Sequence, residues 1–142
     1  AAGNTSSSIT ISSFEVDTNA PTLAEVTAAF EEIYQGNQLW KSEGLLCDRE
    51  WLAELRCRFP LAIVTGRPRR DATRFLKQHN ISEFFDSVVC MEDAPAKPSA
   101  IPVQHALAEL DVDRAWMVGD TPDDIRAARA AGVGGEVLCT VF

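Results

Sequence analysis

Apolar positions along this 142-residue chain change their period several times, and each change predicts an element. Residues 1–21 carry only a weak alternation, Ile9, Ile11, Phe14 and Val16, in a stretch rich in Ser, Thr, Asn, Ala and Gly. That pattern reads as a tail or loop with room for one strand. At Thr22 the period becomes helical: Thr22 and Glu25 form a capping box, and Leu23, Val26, Phe30, Ile33 and Tyr34 recur on one face as far as Gly36. A less regular stretch runs to Leu46. A second helical pattern starts at Asp48, continues through Trp51, Leu52, Leu55 and Phe59, and is closed by Pro60.

Beyond Leu61 short apolar runs at 61–65, 87–91, 115–118 and 137–142 alternate with amphipathic stretches at 71–79, 99–110 and 124–131. Buried strands alternating with helices predict an α/β fold built on a parallel sheet with right-handed crossovers. Ligands bind such sheets beyond the carboxyl ends of the strands, so the polar residues there are the candidates for chemistry. The expected organisation is a tail or loop over 1–21, a helical segment over 22–47 and an α/β core over 48–142.

Composition narrows the function classes. Hydrophobic residues at 46% and charged residues at 24% are globular proportions, and a formal charge of -8 disfavours nucleic-acid and acidic-membrane surfaces while suiting a metal cation. The apolar runs are far shorter than the roughly 20 residues that cross a bilayer. Cys47, Cys57, Cys90 and Cys139 are scattered with no CxxC pair, which suggests buried or incidental thiols in a reducing cytoplasm rather than zinc or a disulfide framework. Trp40, Trp51, Trp116, Phe75, Phe84 and Phe85 are expected to pack. His79 and His105 fall on predicted helices far in sequence from the strand ends.

Three stretches could carry chemistry. Val64-Thr65-Gly66-Arg67-Pro68 puts a hydroxyl and a Gly at a strand end before a helix, where backbone amides can meet an anion. A capping Thr and a Gly-Pro turn suit the same residues. Lys97 lies between a strand and a helix that Pro98 is expected to open. Val118-Gly119-Asp120-Thr121-Pro122-Asp123-Asp124 runs a strand into three carboxylates. A well-started helix explains Asp123 and Asp124, but Asp120 at the strand end is more simply accommodated by a divalent cation.

The order hydroxyl, lysine, acidic cluster resembles motifs II to IV of the haloacid-dehalogenase-like (HAD) superfamily. Within it, residues 48–132 look like a phosphatase-type member of subfamily I, on the phosphoglycolate-phosphatase-like branch. The resemblance implies a three-layer Rossmann-like parallel sheet, with the helix over 22–36 as a remnant of a helical cap. It also implies roles: Thr65 hydrogen-bonds a phosphoryl oxygen, with Gly66 and Arg67 beside it on the substrate. Lys97 offsets negative charge, and Asp120 and Asp124 hold Mg²⁺ directly or through water. Asp123 stands one place early in the GDTxxD pattern. Receiver domains use the same residue types in a different order.

Family members begin with a strand ending in Asp-x-Asp, whose first Asp becomes a phospho-aspartate and whose second is the general acid and base. No such pair occurs here; Glu15 and Asp17 are the nearest approach. Either that segment replaces the nucleophile strand, or residues 1–20 are a loop or cap insertion and the true first strand lies upstream. In the family that strand is central, between the Thr65-type and Asp120-type strands. Its absence leaves open edges, from which marginal stability or self-association is expected. The expected function is Mg²⁺-dependent hydrolysis of a small phosphorylated metabolite, with this chain inactive on its own. The alternative is a non-catalytic HAD-like binding or interaction module. Carbon-halogen hydrolysis has little use for the acidic motif.

Overall fold

The computed structural model of the chain describes residues 21–133 and the backbone of Leu138–Cys139. The weak strand pattern at Ile9–Val16, with Glu15 and Asp17, lies outside the described residues, as does most of the run at 137–142. The boundary between two compact units falls between Ser42 and Glu43.

The first unit contains α1 (Leu23–Gly36) and a 3-10 turn (Leu39–Ser42). Helix α1 starts at the predicted capping box: the Thr22 hydroxyl accepts from the Glu25 amide at 3.3 Å, and the Glu25 carboxylate takes the Thr22 amide at 2.7 Å. None of its residues is buried, and Leu23, Phe30 and Ile33 are exposed. Phe30 and Tyr34 stack one turn apart, with ring centroids at 5.7 Å.

The second unit is α/β and parallel. Helix α2 (Arg49–Arg58) leads into β1 (Ala62–Val64), α3 (Arg69–Gln78), a 3-10 turn (Ser82–Phe84) and β2 (Ser87–Val89). These are followed by α4 (Ile101–Glu109), β3 (Val118–Gly119), α5 (Pro122–Ala130) and β4 (Leu138–Cys139). β1 pairs with β2 in parallel, Ile63 opposite Val88, and β3 pairs with β4, Val118 opposite Leu138. Among the described residues no ladder joins β1 to β3, so the expected single sheet is present as two parallel pairs.

Side-chain alternation on β2 sorts the layers. Val88 faces a cluster of Leu52, Leu76, Ile81 and Phe84 supplied by α2, α3 and the turn between α3 and β2. Ser87 and Val89 point to the opposite face, where α4 packs on both strands and buries Val103 and Ala106. Helix, strand and helix form the three layers that the motif pattern implies. On α5, Ala127 and Ala128 are fully buried, and side chains this small let the helix lie close to α4 and β3.

Several boundaries differ from expectation for physical reasons. Helix α3 begins at Arg69 rather than Asp71, because Pro68 fixes the preceding backbone and a distant carboxylate, Glu92, takes the Arg69 amide. Helix α4 begins at Ile101 rather than Ser99. Pro98 lies outside it, in a turn closed by the Ser99 amide on the Ala96 carbonyl, and Pro102 occupies the first turn instead. Strand β3 begins at Val118 rather than Ala115. Trp116 and Trp51 are exposed, at 65% and 52%, rather than packed. Trp51 lies about 100° around α2 from the buried Leu52, and Trp116 precedes a strand with only one described neighbour.

Candidate active site

Thr65 follows the carboxyl end of β1 and Asp120 that of β3, and Lys97, in the loop after β2, reaches the Val64 carbonyl and Asp124 in α5. The Thr65 amide donates to the Val89 carbonyl at 2.9 Å, which carries the β1–β2 pairing one residue past the strand. The Thr65 hydroxyl accepts from the Arg67 amide at 3.1 Å. A hydroxyl oxygen that accepts in this way keeps its proton to donate to an incoming oxygen. Gly66 is exposed, and nothing lies within 4 Å of where a Cβ would stand. No neighbouring protein atom therefore demands a glycine here.

Arg67 turns toward its own chain: its guanidinium forks onto the Glu43 carboxylate at 2.8 and 3.0 Å and lies 5.9 Å over the Phe75 ring. Glu43 is fastened a second time, its carbonyl 3.2 Å from the His79 ring nitrogen. The candidate substrate contact is thus engaged with an internal carboxylate.

Lys97 is the joint of the site. Its ammonium donates to the Asp124 carboxylate at 2.5 Å and to the Val64 carbonyl at 3.2 Å, so one side chain ties the end of β1 to the start of α5. Asp124 is 3% exposed and uses both oxygens. One takes Lys97; the other takes the Thr121 amide at 2.9 Å and the Thr121 hydroxyl at 2.8 Å. Burial pushes the Asp124 carboxyl up, but the hydrogen bonds from Lys97 and Thr121 outweigh it and hold the group below the usual carboxylate range. Helix α5 therefore begins in a capping box whose acid also holds the lysine.

Asp120, one residue past β3, is exposed, and the described residues give it no hydrogen bond or ion pair. Asp123 forms an i,i+3 pair with Arg126 at 2.9 Å on the outer face of α5, apart from the Lys97–Asp124 pair. No group of three His, Cys, Asp or Glu side chains gathers among the described residues. Mg²⁺ commonly takes one or two carboxylates and completes its shell with water and phosphate oxygens. This donor set fits that pattern: Asp120 is available as a direct ligand, and Asp124, with both oxygens engaged, suits contact through water.

Gly119 was given no role by the motif reading, yet the site requires it. A Cβ there would fall 2.5 Å from the Asp124 Cβ and Cγ and 2.6 Å from its Oδ2. The available signal was a glycine at a strand end, which marks close approach of another group. The Val64 carbonyl also escaped selection, because a backbone acceptor leaves no distinctive residue pattern.

Comparison with known proteins agrees with the motif reading. The haloacid dehalogenase-like hydrolase family profile matches residues 4–135. The chain is 48% identical over 122 residues to an imidazoleglycerol-phosphate dehydratase of Phytophthora nicotianae, covering 80% of this chain and 27% of that protein. It is 34% identical over 113 residues to a phosphoglycolate phosphatase of Neisseria meningitidis, covering 78% of this chain and 42% of that protein. The chain thus spans less than half the length of either relative. Among solved structures, a HAD-superfamily hydrolase of subfamily IA from Geobacter sulfurreducens superposes with a TM-score of 0.56 at 28% identity. That match covers 60% of this chain and 45% of the other.

Proposed function

The chain belongs to the haloacid dehalogenase-like hydrolase family, and from that premise we propose that it is the core portion of a Mg²⁺-dependent phosphohydrolase acting on a small phosphorylated metabolite in the cytoplasm. The observation that carries this reading is the Lys97 ammonium, fixed between the Asp124 carboxylate and the carbonyl of Val64, the residue before Thr65. Phosphoryl transfer spreads charge over the equatorial oxygens, and catalysis consists largely of placing donors and cations around them. Here the Thr65 hydroxyl donates one hydrogen bond, and Lys97 supplies a positive charge held in place by its two protein contacts. Bound Mg²⁺ would neutralise further phosphoryl charge, held by Asp120 directly and by Asp124 through water. A small substrate is what the resemblance of the helix at 23–36 to a helical cap implies.

No Asp-x-Asp pair occurs in the sequence, and Glu15 and Asp17 lie outside the described residues. The chain alone is therefore expected to bind phosphate and Mg²⁺ without turning over p-nitrophenyl phosphate. Calorimetric titration of inorganic phosphate in the presence of Mg²⁺ tests this directly. Saturable binding is expected in the unmutated chain, weakened roughly ten- to a hundred-fold in Lys97→Ala, the cost of a lost charge-assisted contact. The missing pair also favours a second reading, a non-catalytic interaction module. That reading gains if no heat depends on Asp120 or Lys97. Hydrolysis that disappears in Asp17→Ala would instead make this chain a divergent enzyme that carries its own general acid and base.

A further inference from the structure

Helix α3 begins without a cap of its own. Its N-cap is Pro68, which has no side-chain acceptor, yet its first amide is satisfied: both oxygens of Glu92, 23 residues along the chain, lie 3.0 Å from the Arg69 nitrogen. The next residue works in the same direction. Asp93 accepts from the Arg69 guanidinium and takes the Cys90 amide at 2.7 Å. The Arg69 guanidinium also donates to the Val88 carbonyl at 3.1 Å, and the Met91 amide donates to the Arg67 carbonyl at 3.2 Å.

These bonds stitch the loop after β2 onto the loop after β1, and that second loop carries Thr65 and Gly66. The positive end of α3, which the sequence offers to an anion, is occupied by the protein's own carboxylate. The course of residues 65–68 is then set from outside by the 90–93 loop. The direction of the Thr65 hydroxyl follows, because its oxygen accepts from the Arg67 amide.

We propose that Glu92 is a positioning residue: its carboxylate latches the start of α3 and so aims Thr65 at the phosphoryl group. The assignment rests on the phosphohydrolase reading. The latch also closes the α3 amino end to a second anion, so phosphate is directed to Thr65 and Lys97.

The test is calorimetric titration of the chain with inorganic phosphate plus Mg²⁺, comparing Glu92→Ala and Glu92→Gln. Arg49→Ala serves as a stability control. Arg49 donates to the Asn80 carbonyl at 2.8 Å and pairs with Glu83 at 2.6 Å, near the opposite end of α3. Glu92→Ala is expected to weaken phosphate binding about ten-fold, the scale of one lost charge-assisted hydrogen bond. Glu92→Gln, which keeps an acceptor for the Arg69 amide, restores most of that loss. Arg49→Ala leaves affinity unchanged even if it lowers the melting temperature as much. Equal weakening by Glu92→Ala and Arg49→Ala, or no weakening in a folded Glu92→Ala, would overturn the assignment alone. Absence of phosphate binding in the unmutated chain would overturn the functional reading and this assignment with it.

Discussion

Two helices of this protein start with the same local device and put it to different use. In α1 the Glu25 carboxylate takes the Thr22 amide at 2.7 Å and the Thr22 hydroxyl at 2.8 Å. In α5 the Asp124 carboxylate takes the Thr121 amide at 2.9 Å and the Thr121 hydroxyl at 2.8 Å. Both acids satisfy amides that a helix start leaves without partners. The difference lies in the remaining oxygen and its surroundings. Glu25 sits on a helix with no buried residue, whereas Asp124 is buried and gives its second oxygen to Lys97. A cap becomes part of a site when a distant cation is placed against it and solvent is removed.

The largest effect is expected at the residue that makes room for Asp124. Gly119→Ala puts a methyl group into the Asp124 side chain, and the forced shift is expected to cost about 3 kcal/mol in urea unfolding, the upper range for overpacking. Alanine at Gly36, near the end of α1, meets nothing within 4 Å, so little steric cost is expected there. Next in size, Asp124→Asn keeps the shape but removes the charge facing Lys97. A loss of about 2 kcal/mol is expected from a mostly buried, charge-assisted contact, measured by the same unfolding experiment.

The smallest expected effect is the acid titration of α1. The Thr22 amide and hydroxyl hold the Glu25 carboxyl below its ordinary value of 4.5. A folded-state value below the unfolded one means that the cap contributes fully above the ordinary value and is lost as pH falls through the lowered one. Far-UV circular dichroism between pH 5 and pH 2 should show helix loss on acidification, and Glu25→Gln should remove the part of it that comes from α1. An unchanged acid limb in Glu25→Gln would remove the cap from the account of α1.

Legibility in the sequence followed the range of the interaction. The capping box at Thr22 and the helix start before Asp123 and Asp124 act over three residues, and the strand–helix alternation acts over a few tens; both were readable from spacing. Thr65, Arg67, Lys97, Asp120 and Asp124 were singled out because the resemblance supplied their order. Geometry then divided them: Lys97 meets Asp124, while Arg67 is engaged with Glu43. That division depends on contacts 24 and 27 residues apart, which no local period records. The exposed Trp51 and Trp116 went the same way. Apolar character marks a residue that could pack, but burial requires a partner layer from elsewhere in the chain. Glu92 was given no role from the sequence, and only the fold brings it to the amide of Arg69.

Whether the Lys97–Asp124 pair makes the α5 cap part of the site is read from a double-mutant cycle of Lys97→Met and Asp124→Asn in urea unfolding. A coupling above about 1 kcal/mol is expected, because two side chains in contact at 2.5 Å do not lose their free energies independently. Additivity within about 0.5 kcal/mol, the behaviour of separated sites, would contradict it.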